Sequence, residues 1–378
     1  MAVLNEAQQL IKDQASAWVI DKAPVTSFRA LRDSEAANTF QPQTWQAMVE
    51  LGWSGILVPE EYGGSDLGFL TFSLILEQLG RQLTPSPLFA SSLVGASAVV
   101  LAGSKDQKEA ILPGVADGSV LLTLALEETS RHEPTQTALS AQASGDGFTL
   151  NGGKTFVPEG SSATHFVVAA RTAGEPGDAA GISLLLVPAN AEGLVRSALP
   201  TLDSRDHARL TFDNVQVGAD AVLGAVDEGL PVLEQVLDRA RIGLAAEMLG
   251  TASRAFDMTL DYLKTREQFG NVIGSFQALG HRAATLFSLK EQARSCVEAA
   301  LQALDAGADN VPEMATLAKC HVGKFLFTMS NEMIQIHGGI GMTDEFDAGL
   351  YLKRARVLEA SYGNRAYHRE RYATLKGF

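Results

Sequence analysis

The sequence has almost no cysteine and no segment that would cross a bilayer. Only Cys296 and Cys320 occur among its 378 residues, which excludes a disulfide framework. Both fall in apolar helical surroundings and read as buried thiols. The longest apolar stretches, such as Ser91–Gly103, fall short of the ~20 residues that span a membrane. The N-terminus carries Asn5, Glu6, Lys12 and Asp13 where a signal peptide needs an apolar run. The expectation is a cytoplasmic protein with no membrane association. Basic residues are also scarce, 30 against 44 acidic ones, for a net charge of -14. Affinity for phosphate backbones comes largely from Lys and Arg, so no nucleic-acid partner is expected. The seven His form no metal-ligand spacing. Cys320 and His321 are adjacent, about 100° apart on a helix, and no H-E-x-x-H run exists, so no metal is expected. There is no P-loop. The glycines of Gly338–Gly341 follow a helix rather than a strand, which excludes a Rossmann turn.

What is present is an ordinary globular mixture, 46% hydrophobic and 20% charged, with enough apolar surface to build a core. At about 150 residues per domain the length suggests two to three domains. Three segments differ in period. Residues 1–118 read as an N-terminal helical domain, with Leu4, Ala7, Leu10, Ile11, Trp18 and Val19 forming one stripe. Helix resumes through Leu74–Leu79 and Ser91–Ala102. Residues 119–225 carry short β-branched runs, with Asp146–Gly147 and Asn151–Gly153 supplying tight turns, and read as an antiparallel sheet domain. Residues 226–378 read as a C-terminal bundle of four long helices: one ending near Arg266, a second over 275–306, a third from Pro312 to Gly338, and a fourth over 348–374. The fold class is therefore α+β and multidomain.

That order, together with several motifs in it, resembles the acyl-CoA dehydrogenase family over essentially the whole chain. Tyr262–Gly270 (YLKTREQFG), with Ile273, Phe276 and Gln277, is similar to the family's Y-x-x-x-R-x-Q-F-G-x-x-I-x-x-F-Q signature. Gln335–Thr343 (QIHGGIGMT) is a second match, and Pro59–Gly64, Leu150–Val157 and Leu210–Val217 are weaker ones. The resemblance implies FAD as cofactor, an acyl-CoA substrate dehydrogenated between its α and β carbons, an electron-transferring flavoprotein as electron acceptor, and a homo- or hetero-oligomer (dimer or tetramer). It also implies that each FAD is completed by a neighbouring subunit's bundle. The residues matching that donated half are Arg266, Gln268, Phe269, Gln277, Gln335, His337, Gly338 and Gly339. Their chemistry suits a dinucleotide cofactor, with a guanidinium fork for pyrophosphate, amides for polar edges, an aromatic face, and glycines that let backbone N–H groups approach closely. A solvated helix end and a plain helix cap are the structural alternatives for the same residues.

The sequence departs from the family elsewhere. The usual catalytic glutamate sits in a Y-E-G-T run, and the matching run here is Ser361–Asn364, so Tyr362 takes its place. A second subgroup places its glutamate just before the arginine of the first bundle helix, where Ala240 precedes Arg241 here. The catalytic base is therefore unknown. Glu359, a turn away from Tyr362, and Asp238, about 200° around the helix from Ala240, are the weak candidates. Tyr362 itself reads equally as a packed pocket wall. The flavin-ring half is altered too. Ala125–Thr129 (ALEET) replaces a run whose hydroxyl meets the flavin, and Phe156–Val157–Pro158 replaces a Trp-Ile-Thr/Ser segment. Phe156 can still stack, whereas Pro158 has no N–H to give. Arg241 matches a pocket-lining arginine that could meet the thioester ligand, with an ion pair to Asp238 as the alternative.

Donated half kept, own half altered and base missing: this combination resembles the small subunits of heteromeric acyl-CoA dehydrogenases, such as pimeloyl-CoA and steroid side-chain enzymes. The expectation is a subunit whose partner supplies the base. The alternatives are a self-sufficient homo-oligomeric dehydrogenase with a displaced base, and a non-catalytic structural or acyl-CoA-binding partner.

Overall fold

Asn5 opens the first helix with a reciprocal cap, its side chain accepting from the Gln8 N–H while Gln8 returns the bond to the Asn5 backbone. The computed structural model describes residues 4–34 and 40–378. Helices α1 (Glu6–Lys22), α2 (Val25–Arg32), α3 (Pro42–Glu50), α4 (Gly68–Arg81), α5 (Ala96–Ala102) and α6 (Lys105–Ala116) come first. Eight strands follow: β1 (Leu122–Ala125), β2 (Ser140–Ser144), β3 (Gly147–Pro158), β4 (His165–Arg171), β5 (Ile182–Pro188), β6 (Leu194–Ala198), β7 (His207–Gly218) and β8 (Val222–Leu223). Next come α7 (Gly229–Thr265), a small hairpin of β9 (Glu267–Gln268) and β10 (Asn271–Val272), then α8 (Gln277–Asp305), α9 (Val311–His337), α10 (Ala348–Ala360) and α11 (Arg365–Leu375). Among the described residues no helix is long and apolar enough to cross a membrane.

The compact units cut across the three sequence segments. One unit holds residues up to 34, 69–84 and 241–378; the other holds 35–68 and 85–240. In the second, the sheet order is β6-β7-β3-β2-β4-β5-β8, with β1 added beside β4. The pairings are antiparallel except β1 with β4 and the single Ser140–Arg171 pairing of β2 with β4, which run parallel. The sheet is thus mixed rather than purely antiparallel. β4 and β5 are buried almost throughout, whereas β7 alternates: Ala208, Leu210 and Phe212 face inward. Asn214, in a left-handed conformation (φ 54), shifts that alternation so that Val215 is again buried. The core of this unit gathers Ala125, Leu150, Val157, Phe166, Val168, Leu185 and Leu210.

The helix expected over 91–102 is two pieces, a π-helical stretch Leu88–Gly95 and then α5. The Ser91 hydroxyl accepts from the Leu122 N–H at 3.0 Å. A Cβ at Gly95 would lie 2.6 Å from the Leu122 carbonyl oxygen. The widened turn therefore carries the tie to β1.

In the first unit, α4 and α7 meet at a pair of glycines. A Cβ on Gly250 would lie 1.9 Å from the Glu77 carbonyl oxygen, and one on Gly80 would lie 2.3 Å from that of Glu247. Thr251 Oγ1 donates to Gly80 O across the same crossing. Ion pairs Arg354–Glu247 (2.6 Å) and Arg294–Glu77 (3.1 Å) brace it. The Asp305 carboxylate accepts from the first-turn N–H groups of Phe69 and Leu70, satisfying donors at the α4 N-terminus that have no intrahelical partner. α8, α10 and α11 all pack on α9. Cys296 and Cys320 are half-buried rather than buried, because each lies at the edge of its helix's apolar stripe. The fourth bundle helix is not continuous: it breaks at Ser361–Asn364, where Tyr362 (φ 55) and Gly363 (φ 97) leave the right-handed region.

Candidate functional site

The donated-half residues converge at one end of the bundle. Leu263, Ile273 and Ile336 form a small apolar cluster with Leu260, Tyr262, Leu279 and Ala283 packed around it. That cluster binds the end of α7, the start of α8 and the end of α9 together. Arg266, Gln268 and Phe269 protrude on the β9–β10 hairpin, Gln277 begins α8, and Gln335 to Gly339 close α9. Arg266, Gln268, Gln277, Gln335, Gly338 and Gly339 are exposed, and Phe269 is 92% exposed. Phe269 meets Phe276 edge-on, with centroids 6.2 Å apart. Among the described residues the Arg266 guanidinium makes no ion pair. Gly338 adopts φ 61, a conformation that favours glycine, and a Cβ on it or on Gly339 would meet nothing within 4 Å.

His337 is the buried member of this group. Its ring lies between Tyr262 (4.3 Å) and Phe346 (4.5 Å). Nδ1 donates to the Met333 carbonyl at 2.7 Å, and burial lowers the ring's pKa despite that bond. Nε2 is buried without a hydrogen-bond partner. An exposed guanidinium, the amides of Gln277 and Gln335, an exposed aromatic and an open glycine pair form a donor set that fits a dinucleotide's phosphate-bearing half, while Gln268 Nε2 donates to the Glu267 carbonyl at 2.7 Å.

The second cluster surrounds the break between α10 and α11. Tyr362 is 9% exposed, and Ala240 on α7 is fully buried. Glu359 is committed: its Oε1 accepts from the Arg365 backbone N–H at 3.2 Å and from Arg365 Nε at 3.3 Å. Asp238 is buried at 3% exposure. Arg241, which the resemblance makes a candidate to meet the ligand, is fully buried, with Nε reaching Tyr362 O at 3.4 Å and Nη2 reaching the Tyr367 hydroxyl at 3.1 Å.

Lys319 on α9 completes this cluster. Its ammonium donates to Leu358 O (2.9 Å), Glu359 O (3.3 Å) and Gly363 O (3.2 Å). Burial pushes its pKa down to about 7, with the Glu359 charge opposing and the Arg241 charge adding to the shift. The signal available in the sequence was a lysine on the apolar stripe of α9, between Ala315 and Val322.

The third cluster lies on the sheet unit. Phe156 is 43% exposed at φ 50, where the β3–β7 register shifts between Lys154 and Val157. The Pro158 carbonyl accepts from Thr123 Oγ1 at 2.7 Å. Glu127 pairs with His132 Nδ1 at 2.6 Å. Glu128 turns inward, accepting from the Ala138 and Leu139 N–H groups and from Lys154 Nζ at 2.7 Å. Desolvation lowers the pKa of the fully buried Lys154, with Glu128 opposing. Lys154 and Glu128 escaped the sequence reading because they pair across 26 residues, whereas His132 pairs with Glu127 only five residues away. This face offers Phe156 for stacking. Beside it stand the Glu127–His132 pair and Pro158, which has no N–H to give, so this face does not fit the polar edge of a flavin ring.

Three family models match this chain: the acyl-CoA dehydrogenase N-terminal domain over residues 5–119, the middle domain over 125–215 and the C-terminal domain over 227–374. A probable acyl-CoA dehydrogenase, YngJ of Bacillus subtilis, is 32% identical over 95% of each chain. The Tcur3481–Tcur3483 steroid ACAD, solved as a variant, is 31% identical over 98% of each chain with a TM-score of 0.87. The ChsE4–ChsE5 complex of Mycobacterium tuberculosis is 25% identical over 100% of each chain with a TM-score of 0.90. The chain belongs to the acyl-CoA dehydrogenase family, and that relationship indicates FAD as cofactor.

Proposed function

We propose that this member of the acyl-CoA dehydrogenase family is one subunit of a heteromeric, FAD-dependent acyl-CoA dehydrogenase whose partner chain supplies the catalytic base. The observation that carries this reading is the turn at Tyr362: a phenol and Ala240 stand where the family resemblance places a base, and the Glu359 carboxylate a turn away is tied to Arg365. A tyrosine with a reference pKa near 10 is ionised about one part in a thousand at pH 7, which makes it a poor proton acceptor. Similarity to two structures whose names each join two chains supports an assembly of unlike subunits.

In this reading the exposed end of the bundle completes the partner's cofactor site. Arg266 would hold the pyrophosphate, Gln277 and Gln335 would bond polar edges, Gln268 would do so on releasing the Glu267 carbonyl, and Phe269 would cover an apolar face. The open Gly338–Gly339 backbone would let a ligand approach closely, and the buried His337 would support that turn from beneath. FAD held there would supply a hydride acceptor for dehydrogenation of an acyl thioester between its α and β carbons. This chain's own residues do not take the α proton; they hold the cofactor and wall the acyl site through the Tyr362 turn, which Arg241 braces from behind. An electron-transferring flavoprotein is the proposed electron acceptor.

The test is flavin content and turnover of the chain alone and with candidate partner chains, each with excess FAD. The expected result is little flavin and no acyl-CoA oxidation by the chain alone, with both gained on assembly. One FAD per isolated chain, bleached by acyl-CoA, refutes the reading and favours a self-sufficient enzyme.

A further inference from the structure

The break between α10 and α11 holds an unusual concentration of buried cation–carbonyl bonds. Leu358 O, Glu359 O and Gly363 O all accept from Lys319 Nζ, and Tyr362 O accepts from Arg241 Nε. Lys319 is 2% exposed and Arg241 is fully buried. The two come from different helices, α9 and α7, and close on one short turn. Within that turn Tyr362 takes φ 55, which is strained for a bulky side chain. Such strain costs on the order of 1–3 kcal/mol and persists only where the surroundings over-determine it.

A helix end needs no such apparatus. The ordinary way to satisfy the last carbonyls of a helix is a glycine cap or water, and Gly363 with φ 97 is already in place. Burying two cations to do the same work is expensive unless the geometry they impose is itself required. In its protonated form the lysine has three donors, and here three carbonyls meet them, so that form is matched to this one backbone conformation, while the neutral amine keeps two of the three bonds. What the clamp fixes is the direction of the Tyr362 side chain.

We propose that Lys319 is a positioning residue for acyl-CoA recognition, holding the Tyr362 turn so that Tyr362 forms a rigid wall beside the acyl thioester. This rests on the acyl-CoA dehydrogenase reading for the identity of the ligand, but not for the clamp itself. Lys319 does not touch substrate; it acts through Tyr362, and Arg241 is its counterpart on the other side of the turn.

The experiment compares wild type, Lys319→Met and Lys319→Gln in the protein as purified with its partner. Hydrogen–deuterium exchange reads the peptide over residues 358–367, and titration with an acyl-CoA and with free CoA reads recognition. Loss of bonds to a charged group costs enough to speed local exchange by about ten-fold or more. In Lys319→Met the turn is expected to exchange at least about ten-fold faster while α8 and the sheet keep their protection. The affinity for acyl-CoA falls while that for free CoA holds. Lys319→Gln, with two donors, falls between. Turn protection equal to wild type overturns the proposal, as does an equal loss of acyl-CoA and CoA binding, which marks a merely structural lysine. Should Lys319→Met fail to fold, Lys319→Gln carries the same comparison. If even wild type ignores acyl-CoA while the turn loosens as expected, the clamp stands, its role in acyl-CoA recognition is refuted, and the dehydrogenase reading falls.

Discussion

Glu359 and Arg365 close the break between α10 and α11 like a latch, one carboxylate oxygen accepting from both the backbone N–H and the Nε of the same arginine. The carboxylate that sequence spacing offers as a substitute base is therefore occupied at the start of the next helix. We predict that Glu359→Gln leaves turnover of the assembled enzyme within about three-fold of wild type and costs about 1–2 kcal/mol in stability, the scale of a hydrogen bond to a charged group. Steady-state rates and thermal melts of the same preparation check both. A loss of several orders of magnitude in turnover would make Glu359 the base and sink the heteromer reading.

Arg266 stands apart from the latch in being exposed and without an ion pair among the described residues. A cation held open on a rigid hairpin is suited to a phosphate it does not share with another side chain. Arg266→Ala is expected to weaken FAD retention by the assembly about ten- to a hundred-fold, with little change in the melting temperature of this chain by itself. Flavin absorbance after gel filtration measures the first and a thermal scan the second. Unchanged flavin content would mean that the bundle end does not complete a cofactor site.

The crossing of α4 and α7 tests how tightly the bundle is specified. Gly250 and Gly80 each face a carbonyl oxygen of the opposite helix at a distance no Cβ tolerates. Gly250→Ala must push the helices apart, and overpacking of this kind typically costs about 1–3 kcal/mol. The Glu77–Arg294 and Glu247–Arg354 pairs flank the crossing and move with it. A melting temperature equal to wild type would show that the helices separate freely.

Local periodicity made much of this architecture legible. The three longest helices follow the apolar stripe of the sequence, with Pro312 at the start of one and Gly338 at its end. The motif residues near Arg266 and Gln335 could be grouped from resemblance alone, and an apolar cluster brings them together. Non-local pairing was illegible: β1 runs parallel to β4, a partner more than forty residues away, and no local pattern announces it. Nothing in the ALEET run itself shows that Glu128 finds Lys154, 26 residues on, and becomes structural. The break at Ser361–Asn364 did carry a signal, since Asn364 caps the following helix by accepting from the Tyr367 N–H. A continuing apolar period masked it. Lys319 is the clearest miss. A lysine on an apolar stripe looks like a long side chain reaching for water, and only the fold reveals three carbonyls waiting inside.

That buried lysine also sets a pH dependence whose sign can be worked out. Its pKa is about 7 in the folded chain against 10.5 for an ordinary lysine in water. Between those values the unfolded chain binds the proton and the folded chain does not, so stability rises with pH across that window. The contribution is present in full above pH 10.5 and is lost as pH falls through about 7. The charged groups facing the amine are Glu359 from α10 and Arg241 from α7, and Lys319→Met keeps both. The difference in denaturation midpoint between wild type and Lys319→Met therefore isolates the titration of this one group. Converted to free energy, it should shift in favour of wild type between pH 7.5 and pH 9, with a slope of up to about 1.4 kcal/mol per pH unit. Other tyrosines and thiols titrate in both proteins and cancel. A flat difference would mean that Lys319 keeps an ordinary or raised pKa and stays an ammonium throughout that window.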